Sequence, residues 1–326
     1  MYVKKLFIII LLTFTITSFA ETKIVIKFSH VVSENSPKGK AVLYFKNLVE
    51  KKSDGRISVQ IFPRGVLFDD ITVVEALKND IVQMAAPSFS KLSFYVKDFQ
   101  LFDIPFLFKN IYSIHRAYSG NIGEILKRNS EGNGIKVLAF WDNGFKHITN
   151  NSKVIKLPND MKGLKFRTMG SDILNYQFSL AGAKPYTKSF SNLKSLLEEG
   201  VIDGQENTFS NIYYQKMYEV QRYLTVSKHG YLGYAVITSM KFWNSIDKEL
   251  QDIILEALEI STHYEYKLAI EDNERSFEMI KLEAKDLEIH YIDDKNRALW
   301  VKFYKRYHEK FTNVISQEIL KELDNL

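Results

Sequence analysis

From Ser245 to Lys285 the chain contains neither proline nor glycine, the two residues that most readily interrupt a helix. Trp243, Ile246, Leu250, Ile253, Ile254, Ala257, Ile260 and Ser261 follow the spacing of one helical face, and apolar positions continue to Ile280. A single helix of ~40 residues is ~60 Å long, more than one domain of this size spans. Either the run is one helix crossing two domains, or it is two helices meeting at a kink near Ser261 and Thr262. That choice governs how everything before it can be arranged.

The preceding segments alternate in period. KIVIKFSH (23–30) reads as a buried strand, and residues 37–55 as a helix with Ala41, Tyr44, Phe45, Leu48 and Val49 on one face, closed by Ser53-Asp54-Gly55. RISVQIF is a strand, DDITVVEALKND a helix and IVQMAAP a short strand. This order marks an α/β sheet covered by helices. After residue 134 it resumes with GIKVLAFWD, GLKFRTM, the helices DILNYQFSLAGA and NLKSLLEEG, and the strand YLGYAVIT. No repeat or low-complexity linker intervenes, so ordered strands join the two regions.

The N-terminus reads as an export signal. Lys4 and Lys5 precede an apolar run from Leu6 to Phe14, and Ser18-Phe19-Ala20 offers small residues for cleavage after Ala20. The run is well short of the ~20 residues that span a bilayer. Loss of the two leader lysines takes the net charge from +5 to +3. No contiguous charge block points to nucleic acid or to a polybasic membrane patch. With no cysteine, an exported chain must be stable through its core alone. Arginine is scarce, nine in all, so an interior Arg stands out against the lysine-supplied background.

Motifs for chemistry are missing. There is no nucleophile elbow, phosphate loop, dinucleotide-binding glycine pattern or H-E-x-x-H, and the seven His are dispersed. An enzyme would have no nucleophile, metal or cofactor to rest on. Tyr304, Tyr307 and His308 read as an aromatic packing face. Ligand-type groups instead sit at element ends. Arg167 closes MKGLKFR, and its planar fork matches a carboxylate. Ser88, Ser90 and Lys91 follow a short strand, where α/β sheets bind ligands. Asn143 and Lys146 flank a Gly turn near the junction of the two regions, while Phe190 reads as core. In EEGVIDGQENTFSNIYYQKMYEVQRYL (198–224), polar Asp203 to Asn207 abut a tyrosine-rich run, either as a solvated turn or as groups placed in a cleft.

KFSHVVSENSPKGKA, VQMAAPSFSK, FQLFDIPFLF, WDNGFK, MKGLKFR, GVIDGQENTFSNIYYQKMYEVQRYL and HGYLGY occur in this order. Together they resemble the DctP-type solute-binding proteins of TRAP (tripartite ATP-independent periplasmic) transporters. The resemblance implies a two-lobed, class II periplasmic-binding-protein fold with a long helix spanning both lobes. It divides the chain into a signal peptide (1–20), a first lobe (21–143 plus 233–272) and a second (144–232 plus 273–326). It assigns Arg167 to the ligand carboxylate, Asn207 to the same carboxylate and Phe190 to a wall against the ligand. The tyrosine-rich run becomes a helix packed behind the site. In the sialic-acid branch a second arginine stands where this chain has Lys146.

His30, Lys38, Ser88 and Lys91 are the candidate contacts from the first lobe, with Asn143, Lys146, Tyr231 and Tyr234 beside them. Arg167 with Asn207 would take one carboxylate, and Lys91, Ser88 and Lys38 a second. The resemblance is greater to the dicarboxylate branch, which implies succinate, fumarate or malate. A sugar acid, 2-oxo acid or other monocarboxylate is the alternative, as is a periplasmic sensor-input role. The family implies a periplasmic receptor that delivers its ligand to a sodium-coupled membrane permease; docking on a permease is simplest for a monomer, and no cofactor or metal is expected from the sequence.

Overall fold

The protein is described here as a computed structural model covering residues 23–323. The expected leader lies outside the described residues. Among them, no helix is long and apolar enough to cross a membrane.

The strands form two sheets. In chain order they are β1 (Ile24–Ser29), β2 (Ile57–Phe62), β3 (Met84–Ala85), β4 (Ile135–Phe145), β5 (His147–Asn150), β6 (Lys165–Thr168), β7 (Lys184–Thr187), β8 (Gly204–Asn207), β9 (Tyr223–Val226), β10 (Tyr231–Ser239) and β11 (Glu288–Tyr291). The first sheet runs β2-β1-β3-β10-β4 and the second β11-β9-β5-β8-β6-β7. In the first, β1 pairs in parallel with β2 and β3, while β10 is antiparallel to β3 and β4. The parallel strands arise because helices return the chain across the sheet, as the alternating periods require.

The helix Pro37–Lys52 begins with Ser36 accepting from the Gly39 amide and with Pro37 in its first turn, a pre-organised start. Its face of Ala41, Val42, Phe45 and Val49 packs on Ile26, Phe28 and Val59 of the first sheet. The long run is a single helix, Lys248–Glu283, of 36 residues and ~54 Å. Nothing breaks it at Ser261, whose buried hydroxyl is satisfied by the Leu258 carbonyl at 3.1 Å. Leu250, Ile254, Ala257 and Leu258 join the core of the first sheet. Ile280, near the other end, packs with Leu193, Ile212 and Leu224 of the second. One helix therefore serves both cores.

The chain passes between the sheets at two further places, through Lys146 from β4 to β5 and through residues 227–230 from β9 to β10. Gly144 lies beside the first crossing with φ +134, and a Cβ there would stand 2.9 Å from Asn273 Nδ2 of the long helix. The φ calls for glycine, and a side chain there would also push Asn273 aside.

Two expectations change in detail. The tyrosine-rich run is not one helix: Phe209–Tyr214 is helical, Lys216 turns left-handed at φ +54, and Tyr223 opens β9. Tyr213 and Tyr218 bond Glu283, and Tyr214 bonds Asp272, so these tyrosines tie the second sheet to the long helix. In the C-terminal aromatic face Tyr304 is core, but His308 is exposed. The helix Asp294–Lys305 is anchored by Trp300, whose indole donates to the Lys156 carbonyl at 2.8 Å. The turns after it reach toward the first sheet, where Glu318 pairs with Arg128 at 2.5 Å and Asp98 accepts from the Ser316 amide.

Candidate ligand-binding site

Arg167 sits on β6 with 2 % of its surface exposed. Its Nε donates to the Lys188 carbonyl at 2.9 Å, which fixes the plane of the guanidinium. Nη2 has no hydrogen-bond partner and approaches Asp70 Oδ2 only to 3.6 Å, beyond hydrogen-bond reach. Burial lowers the pKa of this group and Asp70 opposes the shift, but an arginine remains charged in any case. The Phe190 ring lies 6.0 Å from its Cζ.

Lys91, from the short helix Phe89–Leu92 beside the first sheet, faces the same carboxylate oxygen at 3.8 Å. Its Nζ is also without a hydrogen-bond partner. Burial pushes its pKa down to about 8 despite Asp70. Asp70 joins the two sides. Its Oδ1 accepts from the Phe190 amide at 3.1 Å, while Oδ2 lies between Lys91 and Arg167. Sequence reading passed over Asp70 because DDITVVEALKND carries an ordinary helix-start signal. Its neighbour Asp69 fills that role, accepting from the Ile71 and Thr72 amides.

Lys38, deeper on the first-sheet side, donates to the Ala86 carbonyl at 2.9 Å and stands 3.4 Å above the Tyr234 ring. Burial brings its pKa to about 7. His30 is buried, its ring nitrogens have no hydrogen-bond partner, and burial followed by the Lys38 charge depresses its pKa to about 3. It is a neutral ring at ordinary pH. Ser88 pairs its backbone with Tyr234 and is nearly buried. On the second sheet, Arg167 is in register with Gln205 of β8. Strand alternation puts Asn207 on the face of Gln205, and the two side chains bond at 3.0 Å. Asn207 Oδ1 takes the Asn211 amide at 2.7 Å.

The structure thus brings Arg167, Phe190 and Lys91 around Asp70, and groups Lys38, His30, Ser88 and Tyr234 on the first-sheet side. Three other expected contacts, like Asn207, have their polar groups held by the protein. Lys146 Nζ donates to Glu206 at 2.7 Å, with Asp103 at 3.8 Å. Asn143 donates to Tyr234 and accepts from Thr208 and Ser210. Tyr231 donates to Asp142 and meets Tyr118. These three organise the junction between sheets, where a charge or amide without a partner would be costly.

Glu206 and His229 were missed by sequence reading. Burial works against the Glu206 charge, yet Lys146 and then His229 outweigh it and hold its pKa at about 2. Asp103, nearby, is raised by burial to about 6. Their signal was present in the GQEN and HGYLGY segments, but nothing in their spacing says that they meet. A surface cleft of about 1040 Å³ along the long helix, lined by Phe145, Phe209, Asn273 and Phe277, reaches Asn143 at the junction but not Arg167, Lys91 or Lys38. The cations of the seam are enclosed.

A chain with two sheets, three crossings and buried cations whose donors find no hydrogen bond in the protein has the parts of an anion-binding clamp. The model of bacterial extracellular solute-binding protein family 7, DctP, matches residues 28–313. The chain belongs to this family. Among family 7 and related proteins, the C4-dicarboxylate-binding protein DctB of Bacillus subtilis is 41% identical over 303 residues, covering 93% of this chain and 86% of DctB. A TRAP periplasmic solute binding protein from Sulfurospirillum deleyianum, solved with bound succinate, is 40% identical with a TM-score of 0.90, covering 93% of this chain and 99% of that one. The sugar acid binding protein DctPAm from Advenella mimigardefordensis, in complex with galactonate, shares the fold at a TM-score of 0.89 and 28% identity, covering 93% and 97%. The two-lobed α/β architecture expected from the sequence is the architecture of these family 7 relatives.

Proposed function

We propose that this protein captures a C4-dicarboxylate (succinate, fumarate or malate) between its lobes and delivers it to a TRAP membrane permease. The observation that carries the reading is the pair of buried cations, Arg167 and Lys91, each with a donor atom that finds no hydrogen-bond partner in the protein. Two carboxylates provide what those donors lack, because the shared Asp70 stands beyond hydrogen-bond reach of both. Arg167 and Asn207 take one carboxylate with Phe190 as the wall. Lys91, Ser88 and Lys38 take the other, with His30 and Tyr234 alongside. Asn143, Lys146 and Tyr231 act behind them by fixing the junction.

The higher identity to the succinate-bound relative than to the galactonate-bound one supports the dicarboxylate over a sugar acid. The lobes divide at 21–143 plus 233–272 and 144–232 plus 273–326, with the last turns reaching across to the first. The leader is removed after Ala20, and the protein acts outside the cytoplasm as a monomer. A thermal-shift series tests the ligand class. A folded-state ligand at a hundredfold excess over Kd stabilises by about 2.7 kcal/mol, or roughly 5 °C for a chain of this size. Succinate, fumarate or malate should give that shift and butyrate, with one charge fewer, far less. A large shift with galactonate and none with the three dicarboxylates would overturn the assignment.

A further inference from the structure

No run of the chain is built of like charges alone, yet one short segment is strongly basic. Residues 294–310, DKNRALWVKFYKRYHEK, hold six Lys or Arg and two acids, a net of +4 out of +5 for the whole sequence. Trp300 and Tyr304 fix which side of the helix Asp294–Lys305 faces inward. Lys295, Lys302, Lys305 and Arg306 are consequently all exposed. Leu299 and Val301 are exposed beside them, at 41% and 37%. Ala298, Val301, Lys302, Lys305 and Arg306, with Arg297 and one acid, Asp294, line one shallow depression of about 680 Å³. Arg306 leans on the Phe303 and Tyr307 rings, which holds its charge at the surface.

We propose that this face adsorbs to an anionic phospholipid surface. The face offers its cations together with the exposed aliphatic Leu299 and Val301. A phospholipid leaflet accepts both, taking lysine heads at its phosphates and aliphatic side chains among its headgroups. Adsorption keeps the protein near a membrane without anchoring it, because the attraction fades within a Debye length, ~10 Å at 0.1 M salt. The inference does not depend on which solute the seam binds.

The test is co-sedimentation of the full-length mature protein with vesicles of phosphatidylcholine alone or mixed with phosphatidylglycerol, at low and physiological salt. Each basic residue near such a surface contributes about fivefold in partitioning. The triple variant Lys302→Glu, Lys305→Glu, Arg306→Glu should therefore lose about a hundredfold or more, with its melting temperature unchanged. Binding should require phosphatidylglycerol and weaken with salt. Equal sedimentation of wild type and variant, or none with anionic vesicles at low salt, would overturn the proposal. Binding of the wild type only to an acidic protein such as a purified membrane partner in neutral lipid would overturn it as well.

Discussion

Replacing Arg167 by alanine tests the heart of the site because the structure separates its binding role from its structural one. The side chain is buried, but only Nε is hydrogen-bonded, to a backbone carbonyl, and Nη2 stands 3.6 Å from Asp70. After truncation Asp70 still has the Phe190 amide at 3.1 Å and Lys91 at 3.8 Å. The fold should therefore survive, and the loss should fall on binding. A ligand carboxylate closed into this seam without its cation costs ~2–5 kcal/mol, or roughly 30- to 5,000-fold in affinity. Arg167→Lys should recover only part of this, since an ammonium cannot both hold the Lys188 carbonyl and present a fork. Calorimetric titration of succinate into wild type and both variants is the assay, with a melting curve of each unliganded protein as control. An Arg167→Ala protein that binds succinate within threefold of wild type would refute the reasoning.

Glu206→Gln leaves Lys146 without its near anion. Stability should fall by ~3–5 kcal/mol, about 6–10 °C in melting temperature. Because the folded pKa of Glu206 is about 2 against an ordinary 4.5, its stabilising contribution is present above pH 4.5. The gap between wild type and variant should close as pH falls toward 2. Lys38 is the opposite case. With its folded pKa near 7 against 10.5, the unfolded chain holds more protons between those values, so stability rises with pH across that window. Lys38→Met should flatten that rise in denaturant titrations at several pH values. Gly144→Ala places a Cβ against Asn273 at a φ that side chains avoid and should cost ~1–3 kcal/mol, read as a lower melting temperature. If the lobes clamp the solute, solution X-ray scattering should give a smaller radius of gyration with succinate than without, and an identical profile at saturation would count against the clamp.

Much of this was legible because it is local. The period of Pro37–Lys52, the strand that ends in Arg167 and the uninterrupted run from Ser245 are each set by a few residues along the chain. The long run is one helix, and Ser261, beside the alternative kink, sits within it with its hydroxyl on the Leu258 carbonyl. What sequence reading missed is non-local. Asp70 meets Phe190 across 120 positions, and Glu206 meets Lys146 across 60. Lys146 read as a ligand contact because the charge and position of a side chain are visible in sequence, whereas the buried carboxylate that engages it is not. Similarly, the left-handed turn at Lys216 that splits the tyrosine-rich segment carries no Gly, Asn or Pro to announce it.

The place of β10 in the first sheet has a consequence for how the molecule is made. It lies between β3 and β4, so those two strands are not bridged until β10 arrives. By then β5 through β9, nearly the whole second sheet, have already left the ribosome. The nascent chain therefore cannot finish its N-terminal half first. It must hold an incomplete sheet open while the inserted half is synthesised, which places non-local pairing late and slows folding. Until β10 emerges, β4 has no partner in its sheet and β3 is paired on one side only.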